Sequence, residues 1–300
     1  MTVTLPTGAR ALHWVVLLVT LAGAVGVRAA TDGAFETYTP RNAVQWVRSP
    51  EAMRRLSLGF DSLLADVYWI RAVQYYGGTK LSKDEDKSFD LLYPLLDITT
   101  SLDPLFNIAY RFGAVLLSEA YPNGAGRPDE AIALLEKGIE RAPDRWEYPY
   151  DAGFVHYWWN DDYEAATEWF LKASRVPGAP EWLEPLAANT LAEGGTRAAA
   201  RGMLTRLAEA SEHQWIRDNA RRSLQQLAAL DAIDALRSLA NDYYDEVGRF
   251  PSAWSDLVRT GRLPGVPLDP TGLPYTLEPA SGIVDVSPES TLRPLPVERR

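Results

Sequence analysis

The spacing of apolar residues divides the chain into three kinds of sequence. Ala11 to Val27 is apolar on every side, broken only by His13 and Thr20 and closed by Arg28. Between Pro50 and Tyr243 apolar residues recur every three or four positions, which is the period of one helix face. No run there alternates as a half-buried strand does. Beyond Gly248 short segments punctuated by Gly and Pro take over. Ser49-Pro50-Glu51 predicts a helix start, with Ser as N-cap and Pro at the first helical position. That helix is expected to reach about Tyr76 and stop at Gly77-Gly78. Ser211-Glu212-His213-Gln214 has capping-box spacing and opens a long closing helix through Leu224, Leu227, Ile233, Leu236 and Tyr243. A short helix at Ser252–Leu257 follows. A hairpin around Pro279-Ala280-Ser281-Gly282 then pairs Tyr275–Leu277 with Ile283–Val286. Residues 31–49 read as a linker and 288–300 as a tail.

Three helical segments share one shape and end in Asp103-Pro104, Ala142-Pro143 and Val176-Pro177. A repeat of this length means helix pairs that stack and bury one another's apolar faces. In the best copy the turn Asp161-Asp162-Tyr163 precedes Ala166, Phe170, Ala173 and Pro177. The copy before it has Ala131, Leu135, Gly138 and Pro143. These residues resemble the tetratricopeptide repeat (TPR), in which small residues let two helices approach closely. Phe154 stands where that family usually has Gly. A more degenerate pair, Pro180–Glu193 and Thr196–Ala210, is split by Gly194-Gly195. Further on, Gly248-Arg249-Phe250-Pro251 and Asp269-Pro270-Thr271-Gly272-Leu273-Pro274-Tyr275 before a hairpin resemble the globular part of type II secretion pseudopilins. The pilin stalk is not attached to it.

The expected fold is therefore mostly α: a TPR-like helical-hairpin solenoid over residues 50–230, preceded by an N-terminal hydrophobic helix (1–30). A small α+β module at 231–287 follows. The apolar run fits an uncleaved anchor through residues 11–27, a cleaved secretory signal, or a buried core helix. The first places the repeats outside the cytoplasm on a single-pass membrane protein. The second makes the protein periplasmic or secreted.

Composition narrows the chemistry. The chain has no cysteine, so disulfides, thiolate metal sites and thiol nucleophiles are excluded. A net charge of −10 argues against nucleic acid as a partner. His13, His156 and His213 have no partner at ligand spacing, and no phosphate loop or nucleophile elbow occurs. The expectation is a non-enzymatic protein without metal or cofactor, which binds peptide or helix segments of other proteins. Eleven acids against three bases between Asp129 and Glu168 imply a basic partner segment if they line the concave side. Tyr150, Phe154 and Trp158 form one helical stripe beside Tyr157, which serves either as core or as the anchor of a groove. Asp66, in a very apolar segment, needs a partner such as Arg71 if it is buried; the two serve either as a structural ion pair or as part of a partner-binding groove. A reading of another class uses Trp158, Trp159, Asp161 and Asp162 to stack and hydrolyse a sugar, against their simpler use as turn and packing residues.

Overall fold

Ser49 and Pro50 open a helix. The computed structural model of the protein describes residue 14 and residues 16–27, 49–83 and 86–297. Ser49 Oγ accepts the Ala52 amide at 3.3 Å, and Pro50 begins α1, Pro50–Leu56. The helix stops far short of Tyr76, because Leu58 and Gly59 take left-handed φ values of 51° and 90°. A second helix, α2, Asp61–Leu81, then runs through Gly77 and Gly78 instead of ending there. Two helical glycines cost roughly 2 kcal/mol together. Burial of Tyr76 and Thr79 around them offsets that cost, with the Tyr76 ring 5.7 Å from Phe89. Helix α3, Leu92–Leu102, packs on both α1 and α2.

The chain forms two compact units, residues 1–103 and 104–300. In the first, residues 16–27 are helical with exposed side chains. The start of the expected anchor, its cleavage site beyond Val27, and linker residues 31–48 lie outside the described residues. No helix among the described residues is long and apolar enough to cross a membrane.

The second unit contains α4 (Asn107–Ser118), α5 (Pro128–Arg141), α6 (Glu147–Trp159), α7 (Tyr163–Ser174), α8 (Leu183–Glu193), α9 (Arg197–Ala210) and α10 (Gln214–Val247). Each packs on its neighbour in sequence, so α4–α9 are three successive hairpins, and α4 also reaches α6. The protein is mostly α. Small residues decide how closely the helices meet. A Cβ on Gly138 would lie 3.0 Å from the Tyr110 ring and 3.2 Å from that of Tyr148, both fully buried. Ala131, Ala166 and Ala173 are buried without remainder. Asp162 caps α7 by accepting the Ala165 amide at 2.9 Å, and Asp161 turns the chain with φ 51°.

Helix α10 serves two cores. Up to Leu230 its apolar residues pack with α8 and α9, whereas from Ala229 onward they pack with the C-terminal module. The expected boundary at 230/231 thus falls inside one continuous helix. Gly248 ends it with φ 77°. After α11 (Trp254–Arg259), strands β1 (Thr276–Leu277) and β2 (Val284–Asp285) pair antiparallel, Thr276 opposite Asp285. Trp254 Nε1 donates to the Tyr275 carbonyl at 2.7 Å.

Residues 288–297, expected as a tail, are part of this module. Leu292 is buried, and Gln226 Nε2 donates to the carbonyls of Leu292 and Pro294, each at 2.8 Å. Buried Asp269 accepts from Ser290 Oγ at 2.6 Å, Thr271 Oγ1 at 2.6 Å and the Leu273 amide at 3.0 Å. Burial pushes the Asp269 carboxyl up, but these hydrogen bonds outweigh it and hold it below the ordinary carboxylate range. Its stabilising contribution is complete above the unfolded value of about 3.9 and is lost as pH falls through the lower folded value. Urea denaturation of the wild type and Asp269→Asn should therefore differ most near neutral pH. The gap should shrink as the medium is acidified; a gap that widens would contradict this assignment.

Candidate functional site

Large apolar side chains are exposed unevenly in the second unit. On α4 and the residues leading into it, Leu105, Ile108, Phe112 and Val115 recur at helical spacing and are exposed. On α6, Phe154 is 38% and Trp158 56% exposed. Helices α5, α7 and α9, the second members of each hairpin, expose no large apolar side chain. The outer faces of α5 and α7 carry acids instead. Of the eleven acids between Asp129 and Glu168, nine lie on α5, α7 or the turns, leaving only Glu147 and Asp151 on a first helix.

Between α4 and α6 lies a recess of about 210 Å³, lined by Val115, Tyr150, Phe154, Val155 and Trp159 around one ion pair. Arg111 donates from Nε to Asp151 Oδ2 at 2.5 Å and from Nη2 to Oδ1 at 3.1 Å. Each residue stands four places after the first residue of its helix, so they occupy equivalent positions in successive first helices. The Arg111 side chain is 37% exposed and that of Asp151 only 18%. The hydrogen bond to Asp151 raises the Arg111 pKa. Burial nevertheless pushes the Asp151 carboxyl above the ordinary range, even though Arg111 pulls it down. The asymmetry has a physical origin: the deeper partner bears more of the desolvation.

The aromatic stripe is split by burial. Tyr150 is half-buried and holds the floor, its ring 5.7 Å from Phe170 and 5.5 Å from Trp182. Phe154 opens on the recess. Trp158 points to solvent beside it, and Tyr157 ties α6 to α8 through its hydroxyl, 2.6 Å from Glu193 Oε2. Asp66 and Arg71 belong to the first unit and do not line this recess. Asp66 is exposed, so it needs no buried partner, and Arg71 lies over the Tyr68 ring at 5.2 Å. Asp161 and Asp162 are occupied with the α6–α7 turn.

No family model, curated protein or solved structure matches the chain.

Sequence reasoning missed Ile108, Phe112, Val115, Arg111 and Asp151. A signal for them was present: Leu105, Ile108, Phe112 and Val115 carry the 3–4 spacing, with one base inside an otherwise uncharged helix. Among the described residues no group of His, Asp and Glu is arranged to hold a metal ion. A larger recess of about 610 Å³, on the side of α7 and α9, mixes Arg175 and Arg206 with Glu181, Glu184 and Glu212. Across it His213 Nε2 meets Glu181 Oε1 at 2.5 Å.

Proposed function

We propose that the protein is a non-enzymatic interaction scaffold whose α4–α6 face takes an apolar peptide or helix segment of another protein. The observation that carries this reading is the division of exposed surface in the second unit. First helices α4 and α6 present large apolar side chains, and second helices present none. Such a division is costly in water unless something covers the apolar side. Aromatic anchors beside a recess are the usual centre of a binding face. What supports a TPR-like array is the run of successive hairpins with buried Ala131, Gly138, Ala166 and Ala173 at the positions where helices meet. With most acids on α5, α7 and the turns, the partner's apolar residues, more than its basic ones, are the recognised feature. The apolar run Ala11–Val27 supports membrane anchoring, with the folded units outside the cytoplasm. The pseudopilin resemblance supports an assembly of the secretion or pilus kind by analogy alone.

Photo-crosslinkers placed in cells at Ile108 and Trp158, compared with Glu136 on α5 and Glu168 on α7, test the face directly. Partner adducts are expected from the first pair and not the second. Phe112→Ala should weaken the interaction about ten-fold or more, about 1.4 kcal/mol, as truncation of an anchor does. Adducts formed equally from Glu136 and Glu168 would sink the reading.

A further inference from the structure

We propose that the outer face of α2, together with the α1–α2 turn, rests on a lipid bilayer surface with anionic headgroups. This builds on the reading of Ala11–Val27 as a membrane anchor.

Helix α2 is apolar on two opposite sides. Ala65, Tyr68, Ala72 and Tyr76 form the buried one. On the other, Leu63, Val67 and Ile70 recur at the same helical spacing and are exposed. Apolar surface on a second side of a helix is costly in water unless that side is covered too. The outer face continues into the turn, where Phe60 is exposed and Leu58, in its left-handed conformation, is 85% exposed. This is a protruding apolar tip. A tip of that kind enters a deformable lipid surface readily, whereas a protein partner would need a recess shaped to receive it.

Two further observations select lipid. The same compact unit holds helical residues 16–27, whose side chains are all exposed, and a bilayer is a single occupant that covers both them and α2. Cations also stand at both ends of the α2 face. Arg55 is exposed in the last turn of α1, just before the turn, and Lys83 is exposed at the far end, whereas Arg54 donates to the Ser101 carbonyl and Lys80 lies over the Tyr76 ring. Long basic side chains reach headgroups while their stems cover apolar surface. Asp66 is exposed three places after Leu63 and four before Ile70, so one carboxylate borders this face.

The absence of cysteine makes the test simple, because each introduced thiol is unique. Full-length protein is labelled with an environment-sensitive fluorophore at Leu21→Cys, Leu58→Cys or Ile70→Cys. It is then mixed with phosphatidylethanolamine–phosphatidylglycerol vesicles containing brominated lipid. A label at Glu136→Cys sets the background. Quenching at 58 and 70 is expected to exceed that background at least two-fold. Leu63→Glu with Val67→Glu should remove the excess while the label at 21 stays quenched. All substituted positions are exposed, and circular dichroism checks that each variant keeps its helices. Quenching at 21 without quenching at 58 and 70 overturns the proposal and leaves the anchor standing. No quenching at any position overturns both. Energy transfer between labels on two copies, in place of quenching by lipid, identifies a second copy as the occupant and also overturns the proposal. Equal quenching at 58 in pure phosphatidylcholine vesicles overturns the role of anionic headgroups.

Discussion

Phe170→Ala is expected to destabilise the protein by about 3–5 kcal/mol, the range for removing a fully buried aromatic side chain. Phe170 is 1% exposed and packs with Ala166 and Ala187. Its ring also supports Tyr150 and Phe154, at 5.7 and 6.4 Å between centroids. One truncation therefore opens the α6–α7–α8 core and loosens the floor of the recess. For a folded unit of this size the midpoint of thermal unfolding should fall by about 10 °C. Urea denaturation followed by circular dichroism measures the loss, and a change below about 1 kcal/mol would show that the site collapses around the missing ring. Gly153 supplies a second readout. A Cβ there would lie 2.6 Å from the Phe170 ring, so Gly153→Ala overpacks the wild-type site at a cost of about 1–3 kcal/mol. In the Phe170→Ala background the same methyl enters the cavity. The two substitutions should therefore cost less together than the sum of their separate effects.

Arg111→Met is the second large effect, expected to cost about 2–4 kcal/mol at neutral pH. Breaking a fully buried pair costs roughly 3–5 kcal/mol, because a desolvated charge is left without its partner. The 37% exposure of Arg111 lowers that figure by letting water reach the pair. The pH dependence identifies the cause. Burial already holds the Asp151 pKa above its ordinary value, and removal of Arg111 pushes it further up. A carboxyl with a raised folded pKa binds more protons folded than unfolded, so stability increases as pH falls through that value towards about 3.9. The deficit of Arg111→Met should accordingly be largest near pH 7 and shrink on acidification. Asp269→Asn also converges with wild type on acidification, but there the wild type falls; here the variant recovers. Arg111→Met paired with Asp151→Leu removes the stranded charge and should recover much of the loss at pH 7. A deficit independent of pH, unrelieved in the double variant, would mean that Arg111 matters only for the packing of its stem.

The helical grammar was legible because it depends on local chemistry. Proline at 104, 143 and 177 ends segments that cannot continue as helices. Ala131, Gly138, Ala166 and Ala173 are all buried, and a Cβ on Gly138 would press on the Tyr110 and Tyr148 rings, an approach that only a small residue permits. The errors have an equally physical cause. Gly77-Gly78 looked like a stop, but a weak local penalty yields to burial of Tyr76 and Thr79 on the same helix. Leu58-Gly59 carried no strong breaker signal except the glycine, yet the chain turns there. Ser287 to Val297 read as a tail because its apolar residues are few, and its fixing points, Gln226 and Asp269, lie far away in sequence.

For the candidate site the division is sharper. Local sequence determined that Tyr150, Phe154 and Trp158 share one side of a helix, since periodicity alone fixes that. It did not decide which of them is floor and which is surface. That depends on Phe170, Trp182 and α4 arriving from elsewhere in the chain. Nor did it pair Arg111 with Asp151, forty residues apart, because an ion pair between helices exists only once the helices are stacked. The sequence by itself determined the helical period, the small residues within it and the total of apolar and charged surface. Tertiary structure alone decided how that surface is sorted, apolar on α4 and α6 and acidic on α5 and α7. The physical reason is that a helix face becomes inside or outside only when a neighbour covers it.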